Sequence, residues 1–375
     1  MFVKKMYIKH PSDKIGITVK KREQKIIVSL TSFPKRIDTL WITVETLLRQ
    51  SMKPDEIILW LAEEQFNGID SLPKALLEQQ KRGLTIRFCD DLRSHKKYYY
   101  TMQEYPRDIV ILVDDDMFYP KDTIKKLWKL HKKYPNDICS ITTQIIDPSF
   151  DSKPSIWRNP FLNEKIEHSN KVQIFTGSGS LFVPDSLDQR VFDKELLLDL
   201  CPFADDLWIT FMAYKNGTRI TSLNKWRAFP ITIYGTSQDS LWFINAQDGK
   251  NDEQWENLKR YFPNEFTKQE KRWKNKKKNS ESKKIRLFSY IYLNHFCSRI
   301  ERNGKGRIIP YKNAVIDLEK GSQIRIEDEN ICIGVNKLKK SKTETYVRLR
   351  ENAVWDAKKG CEISYGSTIE ILKKC

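Results

Sequence analysis

At 375 residues the chain is too long for one average domain, and two or three are expected. An apolar share of 39% with 11% aromatics supports a folded core and argues against disorder, while a formal net charge of +17 favours anionic partners: nucleotides, nucleic acid or a membrane surface. Neither Met1 to Lys25 nor any later stretch has the apolar length of a signal peptide or a bilayer span. The seven cysteines (Cys89, Cys139, Cys201, Cys297, Cys332, Cys361, Cys375) show no Cys-x-x-Cys and no metal spacing, so reduced thiols in a cytoplasmic chain are expected.

Residues 1–24 are basic and weakly alternating, enough for a short strand or hairpin. Lys25 to Ser32 reads as the first buried strand, ended by Phe33-Pro34-Lys35-Arg36, and a helix follows from about Asp38 to Gln50. Pro54 breaks the chain before a second strand at Asp55 to Leu61. Leu72 to Lys81 reads as a helix stopped by Gly83, and Leu84 to Cys89 as a third strand ending at Asp90 and Asp91. A short helix over Tyr98 to Tyr105 leads into the branched apolar run Ile109 to Val113. This βαβαβαβ alternation over residues 25–116 argues for a parallel sheet with helices on both faces. No Gly-x-Gly-x-x-Gly follows the first strand, which counts against a dinucleotide cofactor.

Asp114, Asp115 and Asp116 come directly after the central strand, and Lys121 to Lys132 reads as the next helix. Three adjacent carboxylates raise one another's pKa unless a cation lies among them. Ligands of open α/β sheets bind at the carboxyl ends of the strands. A divalent metal held by oxygen, with a phosphate beyond it, is the simplest chemistry for that turn. Read alone, the same acids also suit a solvated turn with Asp122 capping the helix.

Further along, Ile138 to Ile146 reads as a strand and Pro148 to Asn170 as a loop containing Trp157 and Arg158. Phe175-Thr-Gly-Ser-Gly-Ser-Leu-Phe-Val-Pro184 carries glycines at 177 and 179, where another group can approach the backbone, or where an ordinary turn precedes a strand. Phe192 to Leu200 reads as a helix, and another begins at Ala204-Asp205-Asp206-Leu207-Trp208, running to Asn216 with Gly217 as its stop. Asp205 and Asp206 suit the positive end of that helix by themselves.

Taken as a group, these pieces resemble the GT-A class of nucleotide-sugar glycosyltransferases, particularly bacterial enzymes of capsular or surface polysaccharide synthesis. The pieces are Thr31-Ser32-Phe33-Pro34-Lys35-Arg36, Lys96-Lys97-Tyr98, Val113-Asp-Asp-Asp-Met-Phe-Tyr-Pro120, the glycine pair, Asp205-Asp206-Leu-Trp and Asn251-Asp252. The resemblance implies a GT-A (Rossmann-like) mixed α/β sheet over residues 1–265, a cytoplasmic enzyme, and a nucleotide-sugar donor. The acceptor implied is a saccharide or lipid-linked saccharide. Asp114 is then expected on the nucleotide side and, with Asp116, on a bound Mn²⁺ or Mg²⁺, with Asp115 between them. Thr31, Ser32, Arg36, Asp90, Lys96, Lys97, Gly177 and Gly179 complete the expected donor contacts, and Asp205 or Asp206 is the expected general base of an inverting displacement. Glu63-Glu64 matches the class only loosely. Each lysine, read alone, is a solvated charge.

Leu241 to Phe262 carries Trp242, Trp255 and Tyr261, suited either to stacking on a sugar or to the core. Residues 266–302 are expected to form a basic, amphipathic linker: a lysine-dominated linker or exposed helix over 268–284, then an apolar stretch over 285–300 fitted to an anionic membrane surface at the inner face of the plasma membrane. In residues 303–375 apolar residues recur six apart, as in Leu318/Ile324, Leu349/Trp355/Cys361 and Ile363/Ile369. That beat resembles the first coils of a hexapeptide-repeat β-helix, implying a small β-solenoid-like segment for self-association. No histidine follows His295, so the acetyl-transfer base of that family is missing. A basic nucleic-acid-binding protein is the rival reading, disfavoured because no zinc-finger or RRM signature is present; a glycoside hydrolase would use two carboxylates without a cation.

Overall fold

The structure, a computed structural model, describes residues 7, 11–146, 149–157, 166–225, 228–233 and 249–279, and eight short strands between 301 and 364. The chain divides into two units, Met1–Gln144 with Asn163–Glu265, and Ile145–Leu162 with Phe266–Cys375.

In the first unit, β1 (Ile26–Thr31) is ended by Pro34, which has no N–H to donate, and a 3₁₀ turn leads into α1 (Ile37–Leu48). Then come β2 (Glu56–Ala62), the short α2 (Lys74–Leu77), β3 (Leu84–Cys89), α3 (Lys96–Glu104) and β4 (Ile109–Leu112). The remainder is β5 (Met117–Phe118), α4 (Thr123–Lys133), β6 (Ile138–Ser140), β7 (Thr143–Ile145), β8 (Ile166–Ser169), β9 (Val172–Ile174), β10 (Ser180–Phe182), α5 (Lys194–Leu200), α6 (Asp205–Asn216), β11 (Ile220–Ser222), β12 (Ile231–Thr232) and α7 (Lys250–Tyr261). Asp122 stands at the start of α4 as expected, but its side chain takes Lys126 rather than capping a backbone N–H.

Eight strands form one sheet in the order β3-β2-β1-β4-β10-β6-β11-β8. The strands β3, β2, β1 and β4 are parallel; β10 runs antiparallel between β4 and β6, and β8 antiparallel on β11. The chain steps from β1 outward to β2 and β3, then returns to the far side of β1 as β4. Because parallel crossovers are right-handed, that reversal sends α3 to the opposite face from α1. Both faces of β1 are accordingly dry, with Ile26, Ile27, Val28 and Leu30 fully buried. Ser29 is the polar exception, its hydroxyl satisfied by the Lys97 carbonyl at 2.5 Å and by Thr101 at 2.7 Å, both on α3. Trimming one of these strand aliphatics to Ala costs about 2–5 kcal/mol. The reversal falls between β1 and β4, and the carboxyl ends of the strands at such a reversal are the usual ligand position in open α/β sheets.

Expected Ile138 to Ile146 divides into β6 and β7, and the expected loop 148–170 contains β8. Trp255 is buried in the core beside Phe211, whereas Tyr261 is exposed. Arg158, Trp242 and the apolar stretch 285–300 lie outside the described residues. No helix among the described residues is long and apolar enough to cross a membrane.

In the second unit the Glu270 carboxylate, on helix α8 (Pro263–Asn279), accepts the Phe150 N–H at 2.6 Å, and Phe150 meets Phe266 ring to ring. The lysine block is helical as far as Asn279. Beyond it lie β13 (Glu301–Arg302), β14 (Gly306–Ile308), β15 (Val315–Asp317), β16 (Gln323–Glu327), β17 (Cys332–Asn336), β18 (Thr345–Arg348), β19 (Val354–Trp355) and β20 (Glu362–Ser364). The β-rich character is as expected; the stacked parallel coils are not what these strands form. β16, β17 and β18 pair antiparallel in series, as do β13 with β14 and β15 and β19 with β20, leaving β14–β18 as the one parallel pair among them. Four residues separate β16 from β17, hairpin spacing rather than the dozen or more that a parallel crossover needs. An apolar spacing of six is a multiple of the two-residue strand period, so it marks one face of a strand without fixing the direction of its neighbour.

Candidate active site

Parallel pairing sets Ser29 of β1 beside Leu112 of β4, so the residues following each strand meet at one edge. The Arg36 guanidinium reaches Asp115 Oδ1 at 2.5 Å and Asp116 Oδ2 at 3.1 Å, and the Ser32 hydroxyl donates to Asp115 Oδ2 at 2.5 Å. Both oxygens of Asp115 are thereby taken. The turn's backbone is held from two sides, by the Thr43 hydroxyl on the Asp115 carbonyl at 2.8 Å and by the Ile233 N–H on the Asp116 carbonyl at 2.7 Å. Burial alone would make Arg36 easier to deprotonate, but the Asp115 and Asp116 charges outweigh it and keep the guanidinium charged. Asp116 is pushed up to about 7, first by burial and then by the adjacent Asp115 charge, which Arg36 only partly offsets.

Asp114 is the more open member of the turn. Its N–H donates to the Tyr119 hydroxyl at 2.8 Å, and that hydroxyl donates to the Gly177 carbonyl at 2.5 Å. A Cβ on Gly177 would sit 1.8 Å from Asp114 Oδ2, so only glycine lets the carboxylate lie there. Gly179 adopts φ +101, and a Cβ there would face Thr123, Ile141 and Leu127 and no carboxylate; it shapes the turn into β10.

The second acidic pair opens α6. Lys97, almost wholly buried near the start of α3, lies between Asp114 Oδ1 at 2.6 Å and Asp205 Oδ2 at 3.0 Å. Burial opposes its charge, yet Asp114 and Asp205 overcome that and hold the ammonium protonated. Asp205 is held below the usual carboxylate range: burial is the largest influence and pushes it up, but the Lys97 charge and hydrogen bond, with the nearby His95 and Ser94, together outweigh it. Asp206 keeps part of its surface open and goes the other way, up to about 7, through burial and the Asp205 charge. Thr176 fixes it, donating to Asp206 Oδ1 from its N–H at 2.9 Å and its hydroxyl at 2.6 Å. The buried His95 ties α3 to the segment before α6 through Cys201 O at 2.8 Å from Nε2; burial lowers its pKa to about 4, so the ring is neutral.

Of the residues singled out in the sequence, Ser32, Arg36, Lys97, Asp114, Asp115, Asp116, Gly177, Asp205 and Asp206 form one network of contacts. Thr31 donates to the Trp60 carbonyl at 2.9 Å, Lys96 is buried against Asp91, and Asp90 is an exposed partner of Lys194. Glu63 and Glu64 are exposed in a 3₁₀ turn. Arg36, Lys96 and Lys97 are thus internal counterions, where the sequence suggested cations open to phosphate. Tyr119, Thr176 and His95 were missed; the first two stand inside stretches already quoted, but nothing local distinguishes a tethering hydroxyl from a packed one.

No protein-family model matches the chain, and no curated protein does. Among solved structures, a mannosyltransferase from Pyrobaculum calidifontis in complex with GDP-Man and Mn²⁺ is similar at 16% identity and TM-score 0.33, over 58% of this chain and 59% of its own. TarS from S. aureus, residues 1–349, is similar at 15% identity and TM-score 0.39, over 70% of this chain and 76% of its own. The same protein with UDP-GlcNAc gives 15% and 0.37, over 55% and 58%. This chain therefore spans about three fifths of the first of these. The strand order itself makes the sheet a mixed α/β one.

Proposed function

We propose that the chain is a metal-dependent glycosyltransferase of GT-A type, moving a sugar from a nucleoside-diphosphate donor to the hydroxyl of a saccharide or lipid-linked acceptor. One observation carries the reading: the two acidic clusters and their shared Lys97 converge at the carboxyl edge of β1 and β4, where the strand order reverses.

The donor set fits a cation that a diphosphate completes. Asp115 has no oxygen to give, and among the described residues no three His, Cys, Asp or Glu side chains form a metal cage. Asp114 Oδ2 and Asp116 Oδ1 make no hydrogen bond or ion pair with a described side chain. Mg²⁺ and its like typically use one or two carboxylates and fill the remaining positions from water and substrate phosphates. Asp114 and Asp116 would hold the ion, which would supply Lewis-acid neutralisation of the departing diphosphate. The raised pKa of Asp116 is the mark of crowded carboxylates that a further cation would relieve.

The protein's own part is proton transfer and positioning. Asp206, poised near 7 and oriented by Thr176, takes the proton of the acceptor hydroxyl. Asp205 stays ionised and holds Lys97, so it is a positioning residue. A single displacement with inversion follows. The cytoplasmic face of the plasma membrane is the proposed place of work, and self-association through residues 303–375 the proposed assembly. A panel of sugar nucleotides tests the activity: without acceptor, one of them should release its nucleoside diphosphate slowly, with Mn²⁺ or Mg²⁺ and not with EDTA. Release indifferent to EDTA would overturn the metal, and no release from any donor would overturn the transfer.

A further inference from the structure

We propose that Arg93 and Phe203 form an anion-binding platform for the acceptor, which therefore carries a phosphate or carboxylate group near the hydroxyl that reacts. The proposal rests on the transfer reading and extends it to the acceptor's chemical class.

Arg93 lies in the turn between β3 and α3 with φ +53, the left-handed region that residues with a Cβ seldom enter. Glycine or asparagine would occupy that position with less strain. The turn does not need the arginine side chain to hold it. Asp91 does that work, accepting the Arg93 N–H at 2.8 Å and the Lys96 ammonium on one oxygen, and Gln65 Nε2 at 2.7 Å on the other. The guanidinium is exposed, has no ion-pair partner within 4.0 Å among the described residues, and is centred 4.1 Å from the Phe203 ring centroid. That is well inside the roughly 6 Å at which a ring face attracts a cation. A guanidinium laid over a ring keeps its in-plane N–H groups for a planar anion.

Phe203 is itself anchored, its N–H donated to the buried Gln254 on α7 at 2.8 Å. It precedes Asp206 by three residues, and Arg93 precedes Lys97 by four, so the two halves of the platform are tethered within about 11 and 14 Å of chain from those side chains' backbones. In the proposed function the donor's diphosphate is met by Asp114 and Asp116. An anion at Arg93 is thus supplied by the acceptor.

The test uses the 375-residue chain with Mn²⁺, glucose 6-phosphate as the charged probe and glucose as its neutral control, with UDP and GDP titrated separately. Arg93→Gly suits the left-handed backbone, and Phe203→Leu removes the ring alone. Wild type should prefer glucose 6-phosphate to glucose by on the order of tenfold, the value of one charge-assisted hydrogen bond or a bidentate pair. That preference should vanish in Arg93→Gly and weaken in Phe203→Leu, while nucleotide affinity stays within about twofold, a difference of under half a kcal/mol. No preference in wild type, or one retained in Arg93→Gly, overturns the platform. Loss of UDP or GDP binding in Arg93→Gly would assign the arginine to the donor instead and overturn the acceptor assignment. An Arg93-dependent preference in a chain that binds neither nucleotide would sink glycosyl transfer and leave the anion platform standing.

Discussion

The turn after β4 and the start of α6 use the same amino acid to the same pattern. In each, one aspartate is locked by a buried cation, Asp115 by Arg36 and Asp205 by Lys97, and the aspartate that follows is pushed up to about 7. The clusters differ in what the second aspartate keeps. Asp116 is buried and shares Arg36, whereas Asp206 stays partly open and is held by a threonine without charge. In each pair one carboxylate is thus an anchor on a buried cation, and in the proposed reaction its neighbour is the one left to hold the metal (Asp116) or to take the proton (Asp206).

The sharpest break of that pairing is Asp206→Asn against Asp205→Asn. The first should lower turnover on the order of 10²–10⁴-fold with folding intact, as loss of a general base does. Asp205→Asn should instead lower stability, because the buried Lys97 loses its one buried counterion and keeps only the more open Asp114; removing one partner of a buried pair costs about 3–5 kcal/mol. Released nucleoside diphosphate and denaturant unfolding separate the two. Equal effects on both measurements would erase the distinction between anchor and acceptor.

Arg36→Met carries the same logic to the β4 turn, with about 3–5 kcal/mol lost in urea unfolding because Asp115 and Asp116 are left uncompensated. Gly177→Ala should cut donor turnover by a factor comparable to losing Asp114, since the added methyl falls on Asp114 Oδ2. Retained activity would mean that the carboxylate need not lie where it does.

Titration sharpens the comparison further. Turnover limited by Asp206 should rise with pH and level off above about 7, as the base ionises. Its effect on stability has the opposite sign. With a folded-state pKa raised from the ordinary 3.8 to about 7, the folded chain holds the proton more tightly, so this group's contribution is full below about 4 and is lost as pH climbs to 7. Asp205, depressed by Lys97, contributes stability above its ordinary value that is lost as pH falls through its folded-state pKa. Asp206→Asn should flatten the rise in turnover. The smallest effect belongs to Tyr119→Phe, which strips one hydroxyl from the tether between Asp114 and Gly177 at about 1–2 kcal/mol, measured by thermal melting.

Local patterns made much of this legible. The branched run into Asp114, the helices stopped at Gly83 and Gly217, and the acidic opening of α6 are each written within a few residues of sequence. What sequence hid is set by long-range pairing. Nothing in Ser180–Phe182 says that it inserts antiparallel between β4 and β6, and nothing in Lys97 says that it is buried between carboxylates 17 and 108 positions away. The lysine looked like a solvated charge because charge is read from composition, while its desolvation depends on the fold. The six-residue beat of the tail misled for the converse reason, as it reports which face a side chain shares and not the direction of the neighbouring strand.

Calorimetric titration of the nucleotides tests the central claim most directly. Of UDP and GDP, at least one should bind the wild-type chain with Mn²⁺, lose most of its affinity in EDTA, and lose it equally in Asp116→Asn with metal present. Binding of neither, or binding that ignores both the chelator and the substitution, would contradict a cation held between this acidic turn and a diphosphate.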